Sequence, residues 1–158
     1  MAHPDAENLP HSGRMLPDVS LIAADGASVS LSRYQHSRNL VVVFLGPDSE
    51  LRTNSLVLGL KKQYGAIREA EGEVLVVLRT SPAQVQEIAA ALAAPFPILA
   101  DGDGEAHARF GAGGGPAAYV ADRFGEIHFA ARAAEGVPLP SALDLLGWLN
   151  YIELLCPE

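Results

Sequence analysis

Short unbroken apolar runs alternate along the chain with longer stretches in which apolar residues recur every three or four positions. Leu40 to Leu45 is a continuous β-branched and aromatic run, which suits a central strand covered on both faces, and Val74 to Leu78 is a second. Between them Leu51, Val57 or Leu58, Leu60, Tyr64 and Ile67 form an apolar stripe, predicting a helix from about Glu50 to Ala70 with Asp48 or Ser49 as cap and Gly72 closing it. Ser81-Pro82 places a cap and a first-turn proline before a helix from Ala83 to Ala93. Phe96-Pro97-Ile98-Leu99 predicts a short edge strand, followed by the turn Asp101-Gly102-Asp103-Gly104 and a helical turn from Glu105 to Phe110.

Two hairpins complete the pattern. Leu21-Ile22 and Val29-Ser30-Leu31 flank Asp25-Gly26, and Ala117–Val120 and Glu126–Ala131 bracket Asp122-Arg123-Phe124-Gly125, with glycine supplying the positive φ that each turn requires. Ser141 caps a last helix from Ala142 to Leu155. Its Leu145, Leu149 and Ile152 share one face, while Leu146, Trp148, Tyr151 and Leu155 widen the apolar surface beyond a single stripe. The order ββ, β-α-β-α, hairpin, terminal α predicts an α/β domain with a mixed central sheet and helices on both faces. Residues 1–12 carry no period and are expected to form a flexible leader, leaving 13–158 as one domain.

Composition narrows the function classes. Lysine and arginine number 11 against 19 acidic residues, a formal charge of −8, which excludes a basic nucleic-acid binder and disfavours anionic membrane surfaces. The longest apolar stretch, Leu40 to Leu45, is far below the roughly 20 residues that cross a bilayer. The polar N-terminus, interrupted by Pro4 and Pro10, lacks the pattern of a secretory signal, so a cytoplasmic location is expected. One cysteine, Cys156, allows no intrachain disulfide and no paired-cysteine zinc site.

Other candidate chemistry is sparse. Asp101-x-Asp103-x-Glu105 begins like a calcium loop but fails at Ala106 and Ala112, so Asp103 is read as a helix cap. His107 is read as a surface or packing residue, and His3, His11, His36 and His128 are dispersed, so no metal is expected. Gly111 to Gly115 leads into a strand instead of a helix, unlike a phosphate loop, and no Gly-x-Ser-x-Gly is present. No cofactor is expected.

Several segments taken in order resemble the peroxiredoxin (alkyl hydroperoxide reductase/thiol-specific antioxidant, or redoxin) branch of the thioredoxin-like superfamily. They are Gly13-Arg14-Met15-Leu16-Pro17-Asp18-Val19-Ser20-Leu21, Asp25-Gly26 with Val29-Ser30-Leu31-Ser32-Arg33-Tyr34, Leu40 to Pro47, Phe96 to Glu105, and Gly115-Pro116-Ala117-Ala118-Tyr119-Val120-Ala121-Asp122-Arg123-Phe124-Gly125-Glu126-Ile127. The resemblance spans about Gly13 to Ala131 and implies a thioredoxin-like fold. It also implies an antioxidant peroxidase centre: proline, a hydroxyl residue four positions on and a cysteine three further, with an arginine before the later strand.

At those positions the chain departs from the family. The frame begun by Pro47 puts Leu51 at the hydroxyl position and Asn54 at the cysteine position. Thr53 offers a hydroxyl, but Leu56 stands three residues later; Gly46 to Arg52 holds no Cys-x-x-Cys, and Gly113-Gly114-Gly115-Pro116 stands where the arginine is expected. Gly115-Pro116 resembles the thioredoxin-like cis-proline loop, so a cis bond at Pro116 is expected. The first functional expectation is therefore a non-catalytic binding or regulatory module. Its groove would be lined by Pro47, Asp48, Ser49, Thr53, Asn54, Gly115 and Pro116, with Phe44 and Tyr119 near it, and it would take an unknown protein or peptide partner. The alternative is a thiol-dependent antioxidant oxidoreductase acting through Cys156, although a helix C-terminus, Glu153 and Glu158 all oppose thiolate formation there. The broad apolar surface of the last helix offers, as a third expectation, a homodimer interface.

Overall fold

A computed structural model describes residues 9–46, 54–113 and 115–155. The strands are β1 (Ser20–Ala23), β2 (Ser28–Ser30), β3 (Asn39–Leu45), β4 (Gly72–Leu78), β5 (Ile98–Ala100), β6 (Ala117–Ala121) and β7 (Ile127–Arg132). The helices are α1 (Ser55–Lys62), α2 (Tyr64–Glu69), α3 (Pro82–Leu92), α4 (Glu105–Arg109) and α5 (Ala142–Leu155). All the strands form one sheet in the order β2-β1-β5-β4-β3-β6-β7. β3 pairs in parallel with β4, and β4 with β5, while β6 runs antiparallel to β3 with Phe44 opposite Ala117. The mixed α/β architecture is the one expected.

The two long apolar runs become β3 and β4, buried along their whole length because the sheet is covered on both faces. Alternation divides their side chains. Val41, Val43 and Leu45 join Val74, Val76 and Leu78 in a core beneath α1, α2, α3 and α5. Val42, Phe44, Leu75 and Val77 join Leu99, Phe110, Tyr119 and Ile127 in a second core on the other face, which α4 and the chain before β1 cover.

Four expectations need correction. The helix placed from Glu50 starts instead at Ser55, where the Asn54 side chain accepts a hydrogen bond from the Val57 amide at 3.0 Å; Asp48 and Ser49 lie outside the described residues. Nor is that helix closed by Gly72, which opens β4: the turn is made by Glu71 in the left-handed region at φ 58°. β5 is not an edge strand, because β1 of the N-terminal hairpin pairs with it, Ile22 opposite Ala100. Asp103 is not the cap of α4, since Gly104 holds that position and Asp103 accepts only the amide of Glu105.

Residues 9–12, assigned to the leader by sequence, are held where they are described. Pro10 is buried and its carbonyl accepts a hydrogen bond from the buried Arg132 guanidinium, while the Gly13 amide donates to the Ile127 carbonyl at 2.8 Å. At the other end of the molecule, buried Asn39 donates through its amide nitrogen to the Ala70 carbonyl and the Glu153 carboxylate, and its oxygen accepts from the Arg123 amide. Arg123 also pairs with Glu153, so one network ties α5 to the start of β3 and to the β6–β7 turn.

Candidate functional site

In an α/β sheet the strand ends that share a carboxyl-terminal edge, together with the helix N-termini above them, form the natural crevice. Here that edge brings together Leu45 at the end of β3, Asp101 just after β5, and Gly115-Pro116 just before antiparallel β6. The chain returns from β3 to β4 through α1 and α2, which puts the N-terminus of α1 and its cap Asn54 at the same edge. Asn54, Gly115 and Pro116 thus share one end of the sheet. Pro47, Asp48, Ser49 and Thr53 lie outside the described residues.

Asn54 has an extended backbone, φ −71° and ψ 116°, and its side-chain oxygen satisfies one of the amides that a helix start leaves unpaired. Cysteine in the same place would offer a sulfur nucleophile to that turn; asparagine offers an amide that is neither nucleophilic nor redox-active.

Beneath this edge lies a buried pair that sequence reading treated as packing. His107 and Asp101 have side-chain exposures of 2% and 1%, and His107 Nδ1 lies 2.7 Å from Asp101 Oδ2. Its other nitrogen, Nε2, lies 2.9 Å from the Leu45 carbonyl, which can only accept, so Nε2–H is the donor. Asp101 also accepts the amides of Ala106 at 3.1 Å and His107 at 2.8 Å. Burial pushes the Asp101 carboxyl up, but the hydrogen bonds from the His107 ring and these two amides outweigh it and hold the group below its usual range. The pair therefore clamps α4 to the last residue of β3, immediately ahead of the segment that holds Pro47. Phe44 stacks edge-on against the His107 ring at 5.1 Å.

The remaining groups face away from α1. Phe44 and Tyr119 are fully buried in the core on the α4 side, so they do not line a groove at Asn54. The Tyr119 hydroxyl donates to the Phe110 carbonyl, and burial, only partly offset by Arg132, pushes its pKa up to about 12. Arg132 sits opposite Ala117 on that same face, its guanidinium bonded to the Phe110 carbonyl at 2.9 Å and lying 5.1 Å above the Tyr119 ring. It does not replace the arginine missing before β6. The bond before Pro116 is not cis, since no described peptide bond is, which removes the cis-proline form of peptide docking expected there. Cys156 lies outside the described residues. Among the described residues no group of three potential metal ligands converges, and no helix is long and apolar enough to cross a membrane.

Asp101 and His107 escaped the sequence reading because their six-residue separation matches no ligand or catalytic spacing; only the turn that folds Asp101 over the first amides of α4 brings them together.

Comparison with solved structures finds the same fold in distant sequences. Peroxidoxin BcpB from Mycobacterium tuberculosis superposes with a TM-score of 0.77 at 16% identity, over 90% of this chain and 98% of that one. Mycobacterium bovis AhpC gives 0.77 at 19% identity, over 92% and 98%. Xanthomonas campestris bacterioferritin comigratory protein gives 0.71 at 19% identity, over 85% and 91%. A search of curated protein sequences finds no significant match. The family model described as AhpC/TSA matches residues 12–130, most of the chain and every strand of its sheet but the last residues of β7, so this protein belongs to the AhpC/TSA family of the thioredoxin-like superfamily.

Proposed function

We propose that this family member is a non-catalytic binding or regulatory module of the cytoplasm, which uses the groove at the start of α1 to hold a protein or peptide partner. The observation that carries the reading is Asn54: the residue that the Pro47 frame puts in the place of the attacking cysteine is an amide committed to capping α1. The only cysteine of the chain, Cys156, is more than a hundred positions later. Polar groups at Asp48, Ser49, Thr53 and Asn54, with Gly115-Pro116 opposite, would then serve recognition. The trans bond at Pro116 restricts the proposal to a groove that does not depend on cis-proline geometry.

The test is a peptide-display selection against the full chain, with the selected peptides re-measured against Thr53→Val, Asn54→Asp and Pro116→Ala. Aspartate retains the cap, so a loss of affinity in that variant reports on the groove and not on the helix. The reading predicts that at least one peptide loses about tenfold or more in affinity. Selected peptides that bind all three variants as well as the parent would place recognition elsewhere.

A further inference from the structure

α5 is apolar around most of its circumference, and the fold uses only half of it. At about 100° per residue, Ala142, Leu145, Leu149 and Ile152 fall on the side buried against the sheet. Leu143, Leu154, Gly147, Tyr151, Leu155 and Trp148 fall within an arc of about 140° on the opposite side. Leu143 is 63% exposed, Leu154 80%, Leu155 51% and Tyr151 48%. Beside this ridge Trp148 stacks between Phe129 of β7 at 5.5 Å and Tyr151 at 5.8 Å. With Pro140, Asp144 and Gly147 these rings line an open cleft of about 490 Å³.

Two further observations say what covers this face. Gly147 stands in the middle of the helix, where glycine is the poorest helix former after proline. Beyond its own helix backbone and chain neighbours, no atom of the described residues lies within 4 Å of a Cβ built there, whereas Gly59 and Gly72 would each meet an atom at 2.9 Å. Packing among the described residues does not call for glycine at 147, and its missing side chain leaves the floor of the cleft open. The charge is one-sided as well. Residues 133–158 contain Glu135, Asp144, Glu153 and Glu158 and no lysine or arginine, on a chain of net charge −8; Glu135 pairs with Arg132 and Glu153 with Arg123, so among the described residues Asp144 is the carboxylate of this face. Among the described residues the ionic group in the cleft wall is the Asp144 carboxylate, and one of its oxygens caps the Ser141 amide at 3.1 Å.

We propose that the outer face of α5 docks a positively charged amphipathic helix of another protein. Its apolar residues would lie along Leu143, Gly147 and Leu154, and a lysine or arginine would sit over Trp148 and Tyr151 beside Asp144. A second copy of this chain would bring its own cation-free α5 and is the poorer occupant. This surface is separate from the groove at Asn54, and neither proposal depends on the other.

Trp148 is the only tryptophan, so its emission reports directly on the cleft. The probe is a synthetic leucine/lysine amphipathic helix as long as α5, 14 residues, titrated into the full chain beside the same pattern with glutamate for lysine. The lysine peptide is expected to shift the emission saturably and the glutamate peptide to bind about tenfold more weakly or worse. Gly147→Leu fills the cleft and favours the helix, so it is expected to raise the melting temperature while weakening the lysine peptide by about tenfold or more. Leu143→Ser with Leu154→Ser should weaken it similarly, and Leu58→Ser, exposed on α1, should leave it unchanged. Equal binding of the two peptides, or full affinity in Gly147→Leu, overturns the proposal. So does an emission shift that follows protein concentration alone with dimer formation in sedimentation, which would assign the face to a second copy. A shift seen with phosphatidylcholine/phosphatidylglycerol vesicles but not with the lysine peptide would assign it to lipid and overturn it equally.

Discussion

Asp101 and Asn54 show how much two side chains can settle at one edge of a sheet. Asp101 is held below its ordinary carboxylate range, so it contributes stability at pH values above its unfolded pKa of about 3.9, and that contribution is lost as pH falls through the lower folded value. Asp101→Asn keeps one acceptor oxygen where the parent uses two: Oδ1 takes the Ala106 amide and Oδ2 takes both the His107 amide and the His107 ring, so an NH2 at either place faces a backbone donor. The substitution is expected to cost about 1–3 kcal/mol at neutral pH, and the gap from the parent should close as pH falls below about 4. Urea midpoints at pH 7 and pH 3 check this; a gap of the same size at both would contradict the lowered Asp101 carboxyl. Asn54→Ala removes a cap and is expected to lower stability by about 1 kcal/mol, against little change in Asn54→Asp, measured by the same midpoints. Asn54 could be read as a departure from the family frame, but its capping role could not, because Asp48 and Ser49 offered cap residues of equal quality several positions earlier. The Asp101–His107 contact was not legible at all, since it depends on a turn that places a carboxylate over amides five and six residues on.

Elements announced by long uniform signals were legible. β3 and β4 come from runs in which every residue is apolar or tolerates burial, and α3 starts where Ser81-Pro82 says it should, with Ser81 Oγ accepting from the Gln84 amide. α5 begins with the reciprocal bonds of Ser141 and Asp144. Failures came where tertiary pairing decides. Three residues of β5 gave no hint that the hairpin β1–β2 would cover their free side, because strand order depends on contacts distant in sequence. Gly72 illustrates packing between elements: a Cβ there would meet Ile67 Cγ2, the Ile67 carbonyl oxygen and Leu149 Cδ1, each at 2.9 Å. Gly72→Ala is therefore expected to destabilise by about 1–3 kcal/mol as α2 and α5 give way, whereas Gly65→Ala, with open space around it, should not destabilise. Thermal melts of the two variants separate these outcomes.

At the scale of the molecule, the AhpC/TSA scaffold persists, while the Pro47 frame carries Leu51 and Asn54 where the family resemblance implies a hydroxyl and a cysteine. The sheet order, the return from β3 through α1 to β4 and the hairpin β6–β7 all remain, because they rest on burial and pairing spread over some hundred residues. The chemistry that the resemblance implies rests on a few positions, and in the proposed reading Leu51, Asn54 and Gly113 to Pro116 change it. Fold was therefore readable from many weak signals in order, whereas function was readable only as a departure from the family frame, which carries the proposed loss of the peroxidase centre. The broad apolar surface of the last helix was legible in spacing, but the cleft that Trp148, Tyr151 and Phe129 line needed the structure, since it depends on how α5 lies beside β7. The most direct test of that loss is a hydrogen peroxide time course on the full chain, followed by intact mass after thiol trapping, with free cysteine alongside. The account predicts that Cys156 is oxidised no faster than free cysteine and without saturation; rapid, saturable formation of a sulfenic acid or disulfide at Cys156 would contradict it.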